Sequence, residues 1–248
     1  MVASISPQPA HLFWDSAPTA TFIGIDGARG GWVVATYTHE ALSLKLYRTL
    51  AEIPLPSPCR ALIDMPIGLP LQNRRLCDAQ ARALLGPRRS TIFSVPSRAA
   101  VYTNSYAECC AVNERIQGCR VSKQAWNLFP KIRELDLFLR ADPLRHTCLA
   151  EGHPELAFRA LHPSSSPLPS KRTPVGIHMR REALVGVGLA VDALIERLVA
   201  LHPKDVDVTD ALDALSLCAL LITTRGSGVF VGQTELDEHG APQRICVG

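Results

Sequence analysis

Four acidic residues stand where a fold could gather them. Asp26, Asp64 and Glu151 each close a short apolar run, and Asp213 lies in Thr-Asp-Ala-Leu-Asp-Ala-Leu-Ser-Leu (209–217). Asp210 and Asp213 are three apart and share one helix face. An acid in a first helical turn satisfies the macrodipole, which accounts for Asp210. Asp213 falls in the second turn of a small, apolar helix, where a charge needs a partner. Asp26-Gly27 taken alone is an ordinary hairpin turn signal, so the case rests on convergence. Carboxylates meeting without matching bases repel one another. Divalent cations remove the repulsion, and hard oxygen donors suit Mg²⁺ or Mn²⁺. Two such ions roughly 3.5–4 Å apart activate a water and stabilise the leaving oxygen in phosphodiester hydrolysis. The expectation is therefore that Asp26, Asp64, Glu151 and Asp213 are catalytic, with Asp26, Asp64, Asp213 and Asp210 on the metal. Glu155, next to the helix-opening Pro154, is explained by the helix dipole, and His153 by a cap or a loop.

A basic set accompanies the acids. Arg88, Arg89 and Arg98 bound the segment 88–98, and Lys171-Arg172 precedes a helix start. These side chains either bind substrate phosphates or belong to solvated loops. The net charge of +3 is too small to decide for nucleic acid, because binding footprints come from clustered charge. Apolar residues make up 47% and charged residues 20%, the composition of a globular domain with a core. None of the eight cysteines forms a Cys-x-x-Cys pair, so free thiols are expected. With no signal-like amino terminus and no run long enough for a membrane span, a cytoplasmic setting is expected.

The elements that must position these residues follow from the pattern. Ile23 and Ile25 alternate with Gly24 and Asp26 in a first strand, followed by strands over Trp32–Thr38 and Leu42–Tyr47. A glycine-rich turn joins the first two, and Gly27, Gly30 and Gly31 are expected to keep it low so that a substrate backbone can approach. A fourth strand ends at Asp64, where Pro66 forbids continuation, and a fifth ends at Glu151. Helices are expected over Asn73–Leu85, Ser105–Ile116 and from Val121, with Trp126 in the core. One long helix from Thr173 carries Leu184, Val187, Val191, Leu194, Ile195 and Leu198, and another runs over Thr209–Thr223. The pieces Val229–Val231 and Arg244–Val247 are β-like but carry no chemistry. The fold class is α/β, a five-stranded mixed sheet of order 3-2-1-4-5 flanked by helices, with a helical insertion after strand 4. Residues 1–20 are expected to be a mobile tail, 163–169 a linker, and 21–248 a single domain. Ligands in such sheets bind where the connections switch direction, between the first and fourth strands.

The motifs Gly-Ile-Asp-Gly-Ala-Arg-Gly-Gly-Trp (24–32), Ile-Asp-Met-Pro-Ile-Gly-Leu-Pro (63–70), Leu-Gly-Pro-Arg-Arg-Ser (85–90), Gln-Ala-Trp-Asn-Leu (124–128), Lys-Ile-Arg-Glu (131–134), Glu-Gly-His-Pro-Glu (151–155) and Ser-Lys-Arg-Thr (170–173) resemble those of domain-of-unknown-function family 429, predicted RNase H-like nucleases. The segment 210–215 is also similar to the closing helix of Holliday-junction resolvases. The resemblance implies an RNase H-like fold and a nuclease that uses Mg²⁺ or Mn²⁺ on nucleic acid. It implies Asp26, Asp64 and Asp213 as metal ligands, with Glu151 and Asp210 supporting them. Two other readings stay open. One is a phosphotransferase of the actin and sugar-kinase class, although only one Asp-Gly hairpin is present and Gly24, Gly27 and Gly30 do not make Gly-x-Gly-x-x-Gly. The other is a non-catalytic module that binds nucleic acid or protein through Arg88, Arg89, Arg98, Lys171 and Arg172.

Overall fold

A computed structural model describes residues 13–15, 17, 20–39, 41–162, 167–232 and 235–248. The first strand, β1 (Thr21–Ala28), alternates as its sequence demands: Ile23 and Ile25 enter one apolar cluster, Phe22 and Ala28 the other. β1 pairs antiparallel with β2 (Gly31–Thr38), which pairs antiparallel with β3 (Ala41–Tyr47). Its other edge pairs parallel with β4 (Cys59–Ile63), and β4 pairs parallel with β5 (Leu149–Glu151). These five strands keep the expected order 3-2-1-4-5.

The sheet then continues to seven strands, which corrects the expected five. The carboxy-terminal pieces are β6 (Gly228–Val231) and β7 (Ile245–Cys246); β7 lies parallel to β5 and antiparallel to β6, giving 3-2-1-4-5-7-6. Phe13–Trp14 adds an eighth, two-residue strand against β6. Segments this short carry no alternation long enough to signal an interior strand. Much of the expected amino-terminal tail, residues 1–12, 16, 18 and 19, lies outside the described residues. Trp14 is buried and meets Phe230 edge-on.

Between β4 and β5 lies the expected helical insertion: α1 (Leu76–Leu85), α2 (Arg98–Val101), α3 (Tyr106–Gln117), α4 (Lys123–Asn127) and α5 (Phe129–Ala141). The Ser105 and Ser122 hydroxyls accept from the backbone N–H of Glu108 and Ala125, capping α3 and α4. After β5 come α6 (Pro154–Leu161), α7 (Pro174–Gly186), α8 (Asp192–Leu201) and α9 (Val208–Thr223). The single long helix expected from Thr173 is thus two, divided at Gly188, whose φ of +85° stops a helix at little cost. Residues 163–166 of the expected linker lie outside the described residues.

Two apolar layers sandwich the sheet. Ile23, Ile25, Ala61, Ile63 and Leu149 face the insertion, where Val101, Cys109, Phe129, Ile132 and Leu135 meet them. Val33, Ala35, Leu62 and Ala150 face the helices that follow β5, above all α9, which is buried from Ala211 to Leu221. Gly24 lets α9 rest on the strand: a Cβ there would lie 2.0 Å from the Ala214 carbonyl oxygen and 2.5 Å from the Cys218 nitrogen. Trp126 is only partly buried, against Tyr106 and Phe129. Among the described residues no helix is long and apolar enough to cross a membrane.

Candidate metal centre

Register brings the first two acids together. Ile25 pairs with Ile63, and the Asp64 N–H donates to the Ile25 carbonyl at 2.9 Å, so Asp26 and Asp64 sit at one level. Asp64 follows β4 as expected, but Asp26 does not close β1, which runs on to Ala28 in its hairpin with β2. Helix α9, seated on Gly24, supplies Asp213 from above. One carboxylate oxygen from each of Asp26, Asp64 and Asp213 lies within 4.8 Å of the other two. Asp26 is 7% exposed and Asp213 1%, so two of the three charges are almost wholly removed from water.

That removal is costly for charged groups. Burial, reinforced by Asp213 and Asp64, holds the Asp26 carboxyl well above the usual carboxylate range. Burial also pushes Asp213 up to about 7, against the pull of Lys171 and with a push from Asp64. The Lys171 ammonium donates directly to Asp213 Oδ2. Burial alone would lower the Lys171 pKa, but the charge and hydrogen bond of Asp213, together with Asp26 and Asp64, outweigh burial and raise it. Three hard oxygen donors and a single ammonium leave a negatively charged cup, a donor set that fits Mg²⁺ or Mn²⁺.

Glu151 is not brought into this group, and strand parity is the reason. It pairs with Ile63, one residue short of Asp64, and therefore points to the opposite face of the sheet. Gly152 occupies the level of Asp64, its N–H on the Ile63 carbonyl at 3.0 Å and its missing Cβ leaving room for Leu217. Arg75 grips Glu151 with two hydrogen bonds, Nη1 to Oε2 at 2.7 Å and Nη2 to Oε1 at 2.8 Å, and the Ile67 N–H adds a third at 2.8 Å. Arg75 also binds Asp78 through Nε at 3.0 Å. Burial raises the Glu151 carboxyl to about 7, with Arg75 opposing the rise. Arg75 leaves one trace in the sequence, the three-residue spacing to Asp78 at a helix start, and its partner Glu151 lies too far along the chain to signal it. Asp210 lines the same cleft as the cluster but accepts the Asp207 N–H at 2.9 Å, a bond that closes the first turn of α9.

The cup opens into a cleft of about 430 Å³, with Arg88, Lys171 and Arg172 among its walls. Arg88 is fixed by Glu155, Nη2 to Oε1 at 2.9 Å, and Glu155 also takes the buried Arg180 at 2.6 Å. Arg89 is exposed and lies outside the cleft lining. Arg98, expected to meet substrate, is instead buried in α2, bonded to Asp136 at 2.7 Å and to Asp237 at 2.5 Å. It ties the insertion to the carboxy-terminal segment. The hairpin glycines serve protein packing: a Cβ on Gly27 would meet Lys131 Cδ at 2.8 Å, and one on Gly30 would meet Asp205 Cβ at 2.3 Å. Lys131 spans the hairpin with Nζ on the Gly31 carbonyl at 2.6 Å and over the Trp32 ring. It belongs to the Lys-Ile-Arg-Glu motif, the one signal that pointed to it.

A search of curated proteins and a search of solved structures each returned no match. The family described as "Protein of unknown function (DUF429)" matches residues 24–235, a span that holds Asp26, Asp64, Asp213 and the Lys171 that pairs with them, and the chain belongs to that family.

Proposed function

We propose that the protein is a metal-dependent nuclease, hydrolysing phosphodiester bonds of nucleic acid at the cluster of Asp26, Asp64 and Asp213, and that its domain is RNase H-like. The observation that carries this reading is the convergence of three carboxylates, from inside β1, from just past β4 and from helix α9, within 4.8 Å of one another. The order 3-2-1-4-5 of the first five strands supports the fold assignment. Asp26, Asp64 and Asp213 would hold Mg²⁺ or Mn²⁺. Such an ion acts as a Lewis acid on a phosphodiester and lowers the pKa of a water.

The chain's own residues do the rest. Asp26 and Asp213 are buried and rigidly placed, so they hold a cation without first having to be ordered. Arg88 and Arg172 add positive charge to the cleft, and Glu155 keeps Arg88 from swinging away. Guanidinium groups so placed favour phosphate oxygens. The eight free cysteines support a cytoplasmic setting.

Cleavage of single-stranded RNA and DNA, RNA–DNA hybrid and branched duplexes in Mg²⁺ or Mn²⁺ tests the proposal. We expect activity on at least one of these, lost in Asp26→Asn and Asp213→Asn. Equal turnover by wild type and both variants, or none on any substrate, refutes it.

A further inference from the structure

We propose that the carboxylate cluster takes one divalent cation and that Lys171 stands in the place of a second, an inference that rests on the metal-dependent reading above. It replaces the pair of ions expected from the sequence. Charge decides the number. Once a cation has displaced their protons, Asp26, Asp64 and Asp213 contribute three negative charges and Lys171 one positive charge, which leaves the charge of a single divalent ion to be matched. A second ion would leave the cluster with a surplus of two positive charges in a site where Asp213 is 1% exposed and screening is weak.

Of the neighbouring cations, Arg172 lines the cleft without an ion pair to the cluster, and the others are committed elsewhere. Arg75 is bound to Glu151 and Asp78, and Arg88 and Arg180 to Glu155. Lys131 sits on the Gly31 carbonyl, and Arg29 donates to the Lys204 carbonyl. Among the described residues, the ion pair of Lys171 with Asp213 is the one formed with any member of the cluster.

Lys171 is also built in. The residue before it, Ser170, offers its carbonyl to the Thr173 N–H at 3.0 Å and to the Thr173 hydroxyl at 2.8 Å. Gly176 in the first turn of α7 has no side chain, and a Cβ there would lie 2.0 Å from the same Ser170 oxygen. Buried Arg180 donates to the Pro169 carbonyl at 2.8 Å. The backbone entering Lys171 is thus fastened to α7 by two hydrogen bonds from Thr173, one close contact and one guanidinium. That support fixes the point from which the Lys171 side chain, 40% exposed, reaches Asp213, and on this proposal its ammonium stays with the acids when a cation arrives. Lys171 is then a fixed counter-cation, supplying beside the single ion the positive charge that a second ion would otherwise bring to a phosphate.

The test is Mn²⁺ stoichiometry, read by calorimetry and by electron paramagnetic resonance of the free ion, on chelator-stripped full-length protein. Wild type and Lys171→Arg should bind one Mn²⁺ per chain at this site. Lys171→Met should bind two, the first roughly tenfold or more tighter than in wild type. Two ions in wild type, or a Lys171→Met variant unchanged in both number and affinity, overturns the inference. If Lys171→Met does not fold, the wild-type stoichiometry and that of Lys171→Arg still decide. No ion bound by wild type overturns this inference and the metal-dependent reading together. One ion bound without cleavage of any nucleic acid supports this inference and overturns only the nuclease reading.

Discussion

Replacing Asp213 by its amide should stabilise the protein, although it destroys an ion pair. A carboxyl that titrates at about 7 when folded and near 3.8 when unfolded keeps a proton in the folded state that the unfolded chain has already released. Between those two values the folded state binds more protons, so stability falls as pH rises through that window and is level above it. At about 1.4 kcal/mol for each tenfold, the ionised Asp213 costs on the order of 4 kcal/mol above neutrality. That cost is already net of the pull of Lys171, which holds the Asp213 value down, and the Asp213→Asn variant escapes it. The expectation without metal is a gain on the order of 4 kcal/mol near pH 8, shrinking to nothing near pH 4. Urea unfolding of both proteins in chelator at several pH values measures it. If Asp213→Asn is the less stable protein near pH 8, the Lys171 bond outweighs the burial of the charge, and the description of the cluster as a strained, cation-seeking group is wrong.

Cation binding should expel protons from the cluster. Calorimetry of Mn²⁺ binding in buffers of different ionisation enthalpy should show proton release near pH 6.5 that fades well above the Asp213 value of about 7. Asp64→Asn should weaken Mn²⁺ binding by roughly tenfold or more, since one of three ligands is lost. Glu151→Gln should leave Mn²⁺ binding within about twofold, since Glu151 faces away from the cluster. Arg75→Met should lower unfolding stability by about 3–5 kcal/mol, because it strands Glu151 as a buried charge; a loss below about 1 kcal/mol would show that Arg75 and Glu151 are dispensable to each other.

Asp26, which a turn would explain, was carried by its convergence with Asp64 and Asp213, whereas those two could be read from the chain because each is a charge with no local excuse, after an apolar strand or inside an apolar helix. Glu151 looked the same by that criterion. What separates it is one residue of register between β4 and β5, and register is a property of the paired strands that neither strand shows alone. Arg98 looked like a loop arginine because its three acidic partners come from α5 and from residues 237 and 238, far along the chain. β6 and β7 were legible as β-like pieces but not as members of the sheet: they have too few residues for a period, yet are placed by pairing with neighbours already formed. The break at Gly188 was visible as a glycine, but the apolar stripe on both sides continued at helical spacing and hid it.

Gly24 bears on how this family can vary. The contact between its backbone and that of α9 makes the depth of the helix and the spacing of the acids one quantity, set by a residue that carries no functional group. A lineage that acquired a side chain there would raise α9 from the strand and draw Asp213 away from Asp26 and Asp64, losing the cup while keeping all three acids in its sequence. In an alignment, loss of the glycine would therefore mark loss of the site as surely as loss of an aspartate.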